Sequence, residues 1–197
     1  MTEKKLLLAT TNPGKAREIR RELEGLPYEI VTLDAVLPGA SFRERGKTFL
    51  ENARAKSLHY ARLSGLMTLA EDSGLEISAL GGRPGVLSAR FARPKATDAR
   101  NNAKVLRLLA GVPRKARRAR FVCAMVLSAG GKVIKEIRGE VGGTIGFEAR
   151  GRNGFGYDPL FHHSGSGRSF AELTDAEKNA VSHRGRALKK LKAFLSR

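Results

Sequence analysis

The chain has 197 residues, which suits one domain or two closely packed lobes, and its 41% of hydrophobic residues argues against global disorder. Its 37 Lys and Arg against 19 Asp and Glu give a formal net charge of +18, which predicts attraction to an anionic substrate or partner. No run approaches the roughly 20 apolar residues of a membrane span, and the apolar run at residues 6–9 is too short for a signal peptide. We therefore expect a soluble, cytoplasmic protein that contacts no membrane.

The first half of the chain alternates predicted strands and helices. Predicted strands occupy residues 5–9, 28–33 and 67–70. Asn12 followed by Pro13 marks the start of a helix that ends near Gly25. The next helix begins at a capping box formed by Thr48 and Glu51.

The second half of the chain contains a predicted hairpin and two further helices. Predicted strands occupy residues 75–80, 120–128 and 133–141, and predicted loops occupy residues 81–85 and 150–161. Asp98 is expected to cap a helix that runs to about Leu109, and residues 129–131 join the last two strands. A second capping box at Thr174 opens one final helix that continues to Leu195. The order of elements predicts an α/β fold with a mixed, twisted sheet and flanking helices.

The segment after the first predicted strand supplies a helix N-terminus and a lysine. Its residues are Thr10, Thr11, Asn12, Pro13, Gly14 and Lys15. The backbone amides at a helix N-terminus bind anions, and Lys15 adds a mobile cation. The segment predicts either a phosphate site or an ordinary capped helix with an exposed lysine. It is not a Walker A loop, because the second half of that motif is missing.

Adjacent carboxylates follow the predicted strand at residues 67–70. Glu71 and Asp72 would emerge from the core there, and such charges are costly unless something uses them. Carboxylate oxygens suit Mg²⁺, which also binds substrate phosphates; an acidic turn is the alternative. Glu44 is either a further metal ligand or a solvated loop charge, whereas the capping box already explains Glu51.

The predicted loop at residues 150–161 carries an aromatic side chain between two glycines. Phe155 lies between Gly154 and Gly156, which allow close approach of the backbone. An aromatic ring on such a loop can stack on a base. The alternative is a surface loop with one residue tucked into the core.

A group of polar residues on the predicted final helix supplies cations and hydrogen-bond donors. Lys178 and Ser182 lie four residues apart, which places them on one helix face, and His183 and Arg184 follow directly. A lone histidine such as His183 is more often structural than catalytic. The single cysteine, Cys123, lies in an apolar run and is expected to be a buried thiol.

Together, six stretches resemble the inosine triphosphatase family, which includes the bacterial dITP/XTP diphosphatases. They occupy residues 9–15, 48–53, 70–75, 79–85, 154–159 and 182–185, in family order and from end to end of the chain. The resemblance implies a single domain over residues 1–197, made of two lobes with the active cleft between them, that forms a homodimer. It also implies dependence on Mg²⁺ and hydrolysis of inosine, deoxyinosine and xanthosine triphosphates to monophosphate and pyrophosphate.

The resemblance also implies a role for each site residue. Asp72 is expected to accept the proton of the attacking water and, with Glu44, to hold Mg²⁺. Lys15, Lys56 and Lys178 are expected to neutralise the triphosphate. Residues 10–14 are expected to bind the substrate beside them. Recognition of the purine and its nucleotide falls to Ser73, Phe155, Gly156, Tyr157, Asp158, His183 and Arg184.

The chain departs from the family pattern at two places. Most bacterial members have two aspartates before the serine, where this chain has Glu71 and Asp72. Upstream of Gly46 the family often carries paired acids, and here Glu44 stands alone between two arginines. The charge at the first place is kept, whereas the second leaves the metal role of Glu44 open.

Three other functions are compatible with parts of the sequence. A Maf-like nucleotide pyrophosphatase of other base specificity would share the general architecture but should lack the loop around Phe155. A basic nucleic-acid-binding protein would use the +18 charge, although we expect only non-specific contact with nucleic acid. A purely structural partner protein would tolerate loss of the Asp72 charge.

Overall fold

The structure, a computed structural model, describes residues 4–197 and contains one six-stranded sheet in the order β2-β1-β3-β4-β5-β6. The strands are β1 (Lys4–Leu8), β2 (Tyr28–Thr32), β3 (Met67–Ile77), β4 (Arg118–Ala129), β5 (Lys132–Ile145) and β6 (Phe161–His163). The helices are α1 (Pro13–Glu22), α2 (Leu33–Val36), α3 (Phe49–Ser64), α4 (Asp98–Leu108), α5 (Asp175–Val181) and α6 (His183–Leu195). Strand β1 pairs in parallel with β2 and β3, whereas β5 and β6 are antiparallel, so the predicted mixed sheet is confirmed.

The described chain divides into two compact units. Unit 1 contains the residues up to Asp72 together with Cys123–Gly139 and Ala187–Arg197, and unit 2 contains Ser73–Val122 and Glu140–Arg186. Three strands and α6 contribute residues to both units, because the divisions fall within β3, β4, β5 and α6. Among residues 4–197, no helix has the length and apolar character needed to cross a bilayer.

Unit 1 buries apolar side chains in two clusters. The larger cluster joins β1, β3, β4 and β5 to one face each of α1 and α6 through leucines and isoleucines at helical spacing. Its members on these helices and at the C-cap of α1 are Ile19, Leu23, Ala187, Leu188, Leu191 and Leu195. The smaller cluster joins Leu7, which alternates along β1 with Leu6 and Leu8, to Leu33 of α2 and Tyr60 of α3.

Unit 2 has a single large apolar cluster that is rich in aromatic rings. Phe121 of β4 lies 4.7 Å from Phe161 of β6, and Phe161 lies 4.9 Å from Phe170, measured between ring centroids. Val105 and Leu109 bury one side of α4 against the same cluster. This core fixes α4 and the strands β5 and β6, between which the loop around Phe155 lies.

Strand β3 runs through the position at which the sequence predicted that one strand ends and another begins. The expectation of one strand at residues 67–70 and another at residues 75–80 is wrong, because residues Met67–Ile77 form one strand. Gly74 sits inside it, where a Cβ atom would lie only 2.8 Å from the carbonyl oxygen of Gly85. The glycine therefore permits close approach of another backbone segment and does not mark a turn.

The helix ends differ from the predicted ones in three places. Thr97, not Asp98, caps α4, since its side chain accepts a hydrogen bond from the amide of Arg100. Thr48 caps α3 as predicted by accepting from the amide of Glu51, but the carboxylate of Glu51 accepts from the amide of Lys47 and does not return to Thr48. The predicted single C-terminal helix is two helices.

Ser182 separates α5 from α6. Its extended backbone, at φ −70° and ψ 161°, ends α5, and its hydroxyl accepts from the amide of Gly185 at 3.0 Å, as a cap of α6 would. Lys178 and Ser182 therefore do not share one continuous helix face. The capping box of Thr174 and Glu177 at the start of α5 is confirmed.

Candidate active site

Asp72 occupies a buried position in β3, with only 6% of the residue exposed. Its Oδ2 accepts a hydrogen bond of 2.8 Å from Asn52 Nδ2, and Asn52 Oδ1 in turn accepts from the amide of Gly46 at 2.7 Å. Burial raises the pKa of Asp72 above its usual value, and the negative charge of Glu44 raises it further. The hydrogen bond from Asn52 and nearby lysines act in the opposite direction, but the net pKa shift is upward.

Two lysine–carboxylate pairs lie in the same unit as Asp72. Lys56 Nζ lies 2.6 Å from Glu44 Oε1, and Lys15 Nζ lies 2.8 Å from Glu71 Oε1. Both lysine side chains stay partly exposed, whereas Glu71 is almost completely buried. The positive charges of Lys15 and Lys56 both act to lower the pKa of Asp72, which places them near it.

Cys123 lies beside the buried carboxylate of Glu71. Its Sγ is 3.5 Å from Glu71 Oε2, and the residue is fully buried, which confirms the expected buried thiol. Glu71 is thus fixed on one carboxylate oxygen by Lys15 and contacted on the other by Cys123. The first of the two adjacent acids therefore holds a lysine in place.

The segment from Thr10 to Lys15 forms the predicted capped helix start. Asn12 Oδ1 accepts from the amide of Lys15 at 3.0 Å, and the amide of Asn12 donates to Thr10 Oγ1 at 3.2 Å. Thr11, Asn12 and Pro13 are exposed. The segment adjoins a hollow of about 610 Å³. Arginines from the next turns of α1 also line this hollow, together with the acids Glu24 and Asp34: Arg17, Arg20 and Arg21.

In unit 2, the ring of Phe155 is surrounded by charged groups. Asp158 Oδ2 accepts from the amide of Phe155 at 2.9 Å and from Lys178 Nζ at 2.7 Å. Lys178 Nζ lies 4.6 Å from the centroid of the ring, and the guanidinium carbon of Arg184 lies 5.6 Å from it. Arg184 also donates to Ser73 Oγ at 3.0 Å. The structure therefore brings these five predicted site residues together.

Two other predicted residues of unit 2 pack into its core. The ring of His183 stacks on Phe121 at a centroid distance of 4.7 Å and an angle of 10°. The hydroxyl of Tyr157 donates to the carbonyl oxygen of Ser88 at 2.8 Å, and burial raises its pKa well above its usual value. Contact of His183 and Tyr157 with a substrate stays a prediction.

Gly156 is held on both of its backbone groups by α4. Asp98 Oδ2 accepts from the amide of Gly156 at 2.7 Å, and Asn102 Nδ2 donates to its carbonyl oxygen at 2.9 Å. Its φ of +65° is in the region that favours glycine. Sequence analysis missed both anchors, because Asp98 had been explained as a helix cap and Asn102 lies 54 residues from Gly156 in the chain.

The predicted site residues thus form two groups, one within each unit. Unit 1 holds the acids and lysines around Asp72, and unit 2 holds the ring of Phe155 with its charged neighbours. Lys178, which was predicted to neutralise a triphosphate with Lys15 and Lys56, lies in the Phe155 group. Within residues 4–197, no cluster of three or more potential metal ligands is present.

The buried amide of Asn52 is the main residue of unit 1 that sequence analysis missed. It orients the carboxylate of Asp72 across a separation of 20 residues in the chain. The available signal was a polar residue next to Ala53 on the buried stripe of a predicted helix. A buried amide on such a stripe requires partners, and one of them is the candidate catalytic acid.

The fold and these two groups of side chains define a mixed α/β protein. In one group, cations lie near the buried acid Asp72, and in the other, the buried acid Asp158 holds an aromatic loop. The chain belongs to the Ham1 family, whose sequence model matches residues 6–194. The family resemblance found in the sequence and the α/β fold class predicted from the order of elements are both confirmed.

Similar proteins match the chain over nearly its whole length. A dITP/XTP pyrophosphatase of Syntrophobacter fumaroxidans is 50% identical over 186 residues, which cover 94% of this chain and 79% of that protein. A dITP/XTP pyrophosphatase of Exiguobacterium sibiricum is 47% identical over 192 residues, covering 98% and 97% of the two chains. The solved structure of the Staphylococcus aureus Ham1 protein superimposes with a TM-score of 0.89 at 36% identity and covers 98% of each chain.

Proposed function

We infer that this chain is a hydrolase that converts non-standard purine nucleoside triphosphates, such as those of inosine and xanthosine, to the monophosphate and pyrophosphate. The observation that carries this conclusion is the near full-length identity of 47–50% to dITP/XTP pyrophosphatases. The acid, the cations and the aromatic loop that such a reaction needs are all present. Neither a Maf-like pyrophosphatase nor a nucleic-acid-binding module is favoured by these relatives.

Asp72 is proposed as the proton acceptor. An attacking water forms a bond to the α-phosphorus, its proton passes to a carboxylate oxygen of Asp72, and the bond between the α-phosphorus and the bridging oxygen breaks. Pyrophosphate then leaves with the electron pair of that bond. A pKa raised by burial supports this role, because a general base works best when its pKa approaches the working pH.

Lys15, Lys56 and the start of α1 are proposed to bind the phosphates. Phosphoryl transfer is catalysed mainly by positioning and by neutralisation of charge, so several cations near Asp72 are expected. Both lysines already pair with carboxylates through partly exposed ammonium groups, so a phosphate can compete for them. The exposed N-terminus of α1 adds backbone amides.

Asp72 and Glu44 fit a divalent cation in the chemistry of their donor atoms. The charge of Glu44 acts to raise the pKa of Asp72, so the two carboxylates repel each other, and a bound cation would relieve this repulsion. Mg²⁺ takes a few carboxylate ligands and completes its shell with water and substrate phosphate, so a cluster of three acids is not required. When bound, Mg²⁺ would supply charge neutralisation of the phosphate oxygens.

The group around Phe155 is proposed to bind the purine. The ring would stack on the base, and Arg184, positioned by Ser73, would donate to the oxygen at purine position 6. Lys178 was predicted to neutralise the triphosphate, but its buried pairing with Asp158 beside the ring supports a different role. We therefore assign Lys178 to the base and not to the triphosphate.

Three further properties complete the proposal. The family resemblance implies a single domain over residues 1–197 made of two lobes, and we propose that a single substrate is bound in its active cleft. The protein acts as a homodimer in the cytoplasm. Sedimentation of the purified protein, with the expected mass of two chains, tests the dimer directly.

The decisive experiment is product analysis with four substrates. The pure protein is incubated with Mg²⁺ and the triphosphates of inosine, xanthosine, adenosine and guanosine, and pyrophosphate and orthophosphate are quantified separately. Pyrophosphate from inosine and xanthosine triphosphates, with little from adenosine triphosphate, is the expected result. Release of orthophosphate, with the diphosphate left behind, would place the chain in another class of phosphohydrolase.

A further inference from the structure

Unit 2 carries a cationic hollow of about 370 Å³ beside α4. Four positively charged side chains line it, together with two alanines: Arg93, Arg100, Lys104 and Arg107. By helix spacing, the α4 members lie on the side opposite Asp98 and Asn102, which hold Gly156. The hollow is therefore separate from the proposed base site.

The cations of this hollow are partly fixed and are not neutralised. Arg100 Nη1 donates to the carbonyl oxygen of Lys95 at 3.0 Å, and Lys104 Nζ donates to that of Phe91 at 2.6 Å. Over residues 4–197, none of the four lining cations forms an ion pair with a carboxylate. Other arginines of the described chain do form such pairs: Arg54, Arg120, Arg150 and Arg168.

We propose that this hollow binds a compact oligophosphate such as pyrophosphate. Like charges gathered around a small volume repel one another, and a multiply charged anion removes that repulsion. Arg100, Lys104 and Arg107 lie on one face of α4 and Arg93 lies outside that helix, and the small volume of the hollow suits a compact anion. Phe91, the aromatic ring in contact with Lys104, is buried and offers no exposed face for a base.

The site is tested by following arginine side-chain Nε–H resonances during titration with pyrophosphate. Those of Arg93, Arg100 and Arg107 are expected to shift at concentrations that leave the exposed Arg62 and Arg197 unchanged. A double variant, Arg100→Gln with Arg107→Gln, should weaken binding at the remaining Arg93 resonance by at least about tenfold.

A matched control removes the same two charges elsewhere. The double variant Arg62→Gln with Arg197→Gln should leave the Arg93 response unchanged. Equal weakening of pyrophosphate binding in both double variants would show that net charge alone causes the effect, and it would overturn the proposal. So would a shift of the same resonances by an oligothymidylate at lower phosphate concentration than by pyrophosphate, since the hollow would then bind a nucleic-acid strand.

A second inference follows independently from the contacts of Gly156, and it rests on the proposed function. We infer that Asp98 and Asn102 are positioning residues that fix the position of Phe155 relative to the base. Both backbone groups of Gly156 are bonded to α4, so the loop cannot shift without loss of these two hydrogen bonds. The carboxylate of Asp158 fixes the amide of Phe155 from the other side.

Paired substitutions separate positioning from general stability. Asp98→Asn keeps an acceptor for the amide of Gly156, whereas Asp98→Ala does not, and Asn102→Asp replaces the donor with a second acceptor. We expect Asp98→Ala and Asn102→Asp to raise KM for inosine triphosphate about tenfold with a smaller change in kcat, and Asp98→Asn to restore most of the loss.

Amide hydrogen exchange at Gly156 gives a readout that does not depend on turnover. Faster exchange in Asp98→Ala than in Asp98→Asn, at equal global stability, is the expected result. Unchanged exchange together with unchanged KM would overturn the inference. Absence of inosine triphosphate hydrolysis in the parent protein would instead overturn the proposed function, while the exchange result would still report on the loop.

Discussion

The lysine–carboxylate pairs of the two units share the same chemistry and differ in exposure. In unit 1, the side chains of Lys15 and Lys56 keep 18% and 13% of their surface exposed. In unit 2, Lys178 and Asp158 each keep only 4%. A partly exposed ammonium group stays in contact with water and can exchange its carboxylate for a phosphate. A buried pair cannot lose one partner without leaving an uncompensated charge.

This difference matches the two tasks that we propose for the units. Phosphates must enter and leave on every turnover, which favours cations held loosely near Asp72. Base selection needs a fixed geometry, which favours a locked pair beneath the ring of Phe155.

Removal of the buried cation should destabilise the protein most. Lys178→Met leaves the carboxylate of Asp158 buried without its ammonium partner, and we expect a loss of about 3–5 kcal/mol in the free energy of unfolding. Lys56→Met, which breaks the more exposed pair, should cost only about 1 kcal/mol or less. Urea titrations of both variants measure the difference, and equal losses would remove the distinction between the two pairs.

Removal of the Asp72 charge should lower activity and raise stability. We expect Asp72→Asn to reduce kcat by at least about 10²-fold, or about 2.7 kcal/mol, because the proton acceptor is lost. The hydrogen bond from Asn52 Nδ2 can be kept by the new amide oxygen.

The stability change has a definite sign and pH range. Because the pKa of Asp72 is raised in the folded state, the folded protein binds the proton more tightly, and stability falls as pH rises from the unfolded pKa through the folded pKa. Asp72→Asn should therefore raise the free energy of unfolding at neutral pH, and the gain should disappear in acid. The exposed acid Glu29 provides a control, since Glu29→Gln should change neither kcat nor stability appreciably. A folded Asp72→Asn protein with normal turnover would exclude Asp72 from the mechanism.

Base selection should depend on unit 2 and not on the cations of unit 1. Arg184→Ala should lower the ratio of kcat/KM for inosine over adenosine triphosphate by about tenfold, since one donor to the position-6 oxygen is lost. Lys15→Ala should lower both kcat/KM values and leave their ratio unchanged. A ratio that falls in Lys15→Ala, or holds in Arg184→Ala, would contradict the assignment of base selection to Arg184.

The smallest expected effect is a shift of the acid limb of the rate profile. Activity should fall as pH is lowered through the raised pKa of Asp72, above the value of about 3.9 for an unperturbed aspartate. Loss of the like charge in Glu44→Gln should move this limb to lower pH, whereas loss of the stabilising donor in Asn52→Ala should move it to higher pH. Normalised profiles of kcat/KM measure both shifts, and movement in the same direction would contradict the electrostatic account.

Local patterns in the sequence predicted the elements whose causes are local. The strand β1, the cap of α1 at Asn12 and the hairpin of β4 and β5 all follow from neighbouring residues. The continuity of β3 could not be predicted, because the polar run at residues 71–74 is typical of a turn. It is long-range contact that keeps the strand extended, including a hydrogen bond from the amide of Leu75 to Ser88 Oγ.

The sequence proposed candidate residues for the site but could not predict which of them lie together. The resemblance supplied the acids, the cations and the ring, yet the partner of Lys178 lies 20 residues earlier in the chain and belongs to the base loop. The anchors of Gly156 on α4 lie more than 50 residues away from it. Such pairings depend on the tertiary fold, and no spacing rule along the chain shows them.

The two adjacent acids of β3 limit which insertions and deletions this strand can accept during evolution. Glu71 contacts Lys15, whereas its neighbour Asp72 contacts Asn52, because successive side chains of a strand point to opposite faces. Deletion of one residue between Met67 and Glu71 would turn every preceding side chain of the strand to the wrong face or reverse the roles of the two acids. The chemistry of this strand thus depends on whether a position is odd or even. Insertions and deletions within it would be tolerated only in pairs.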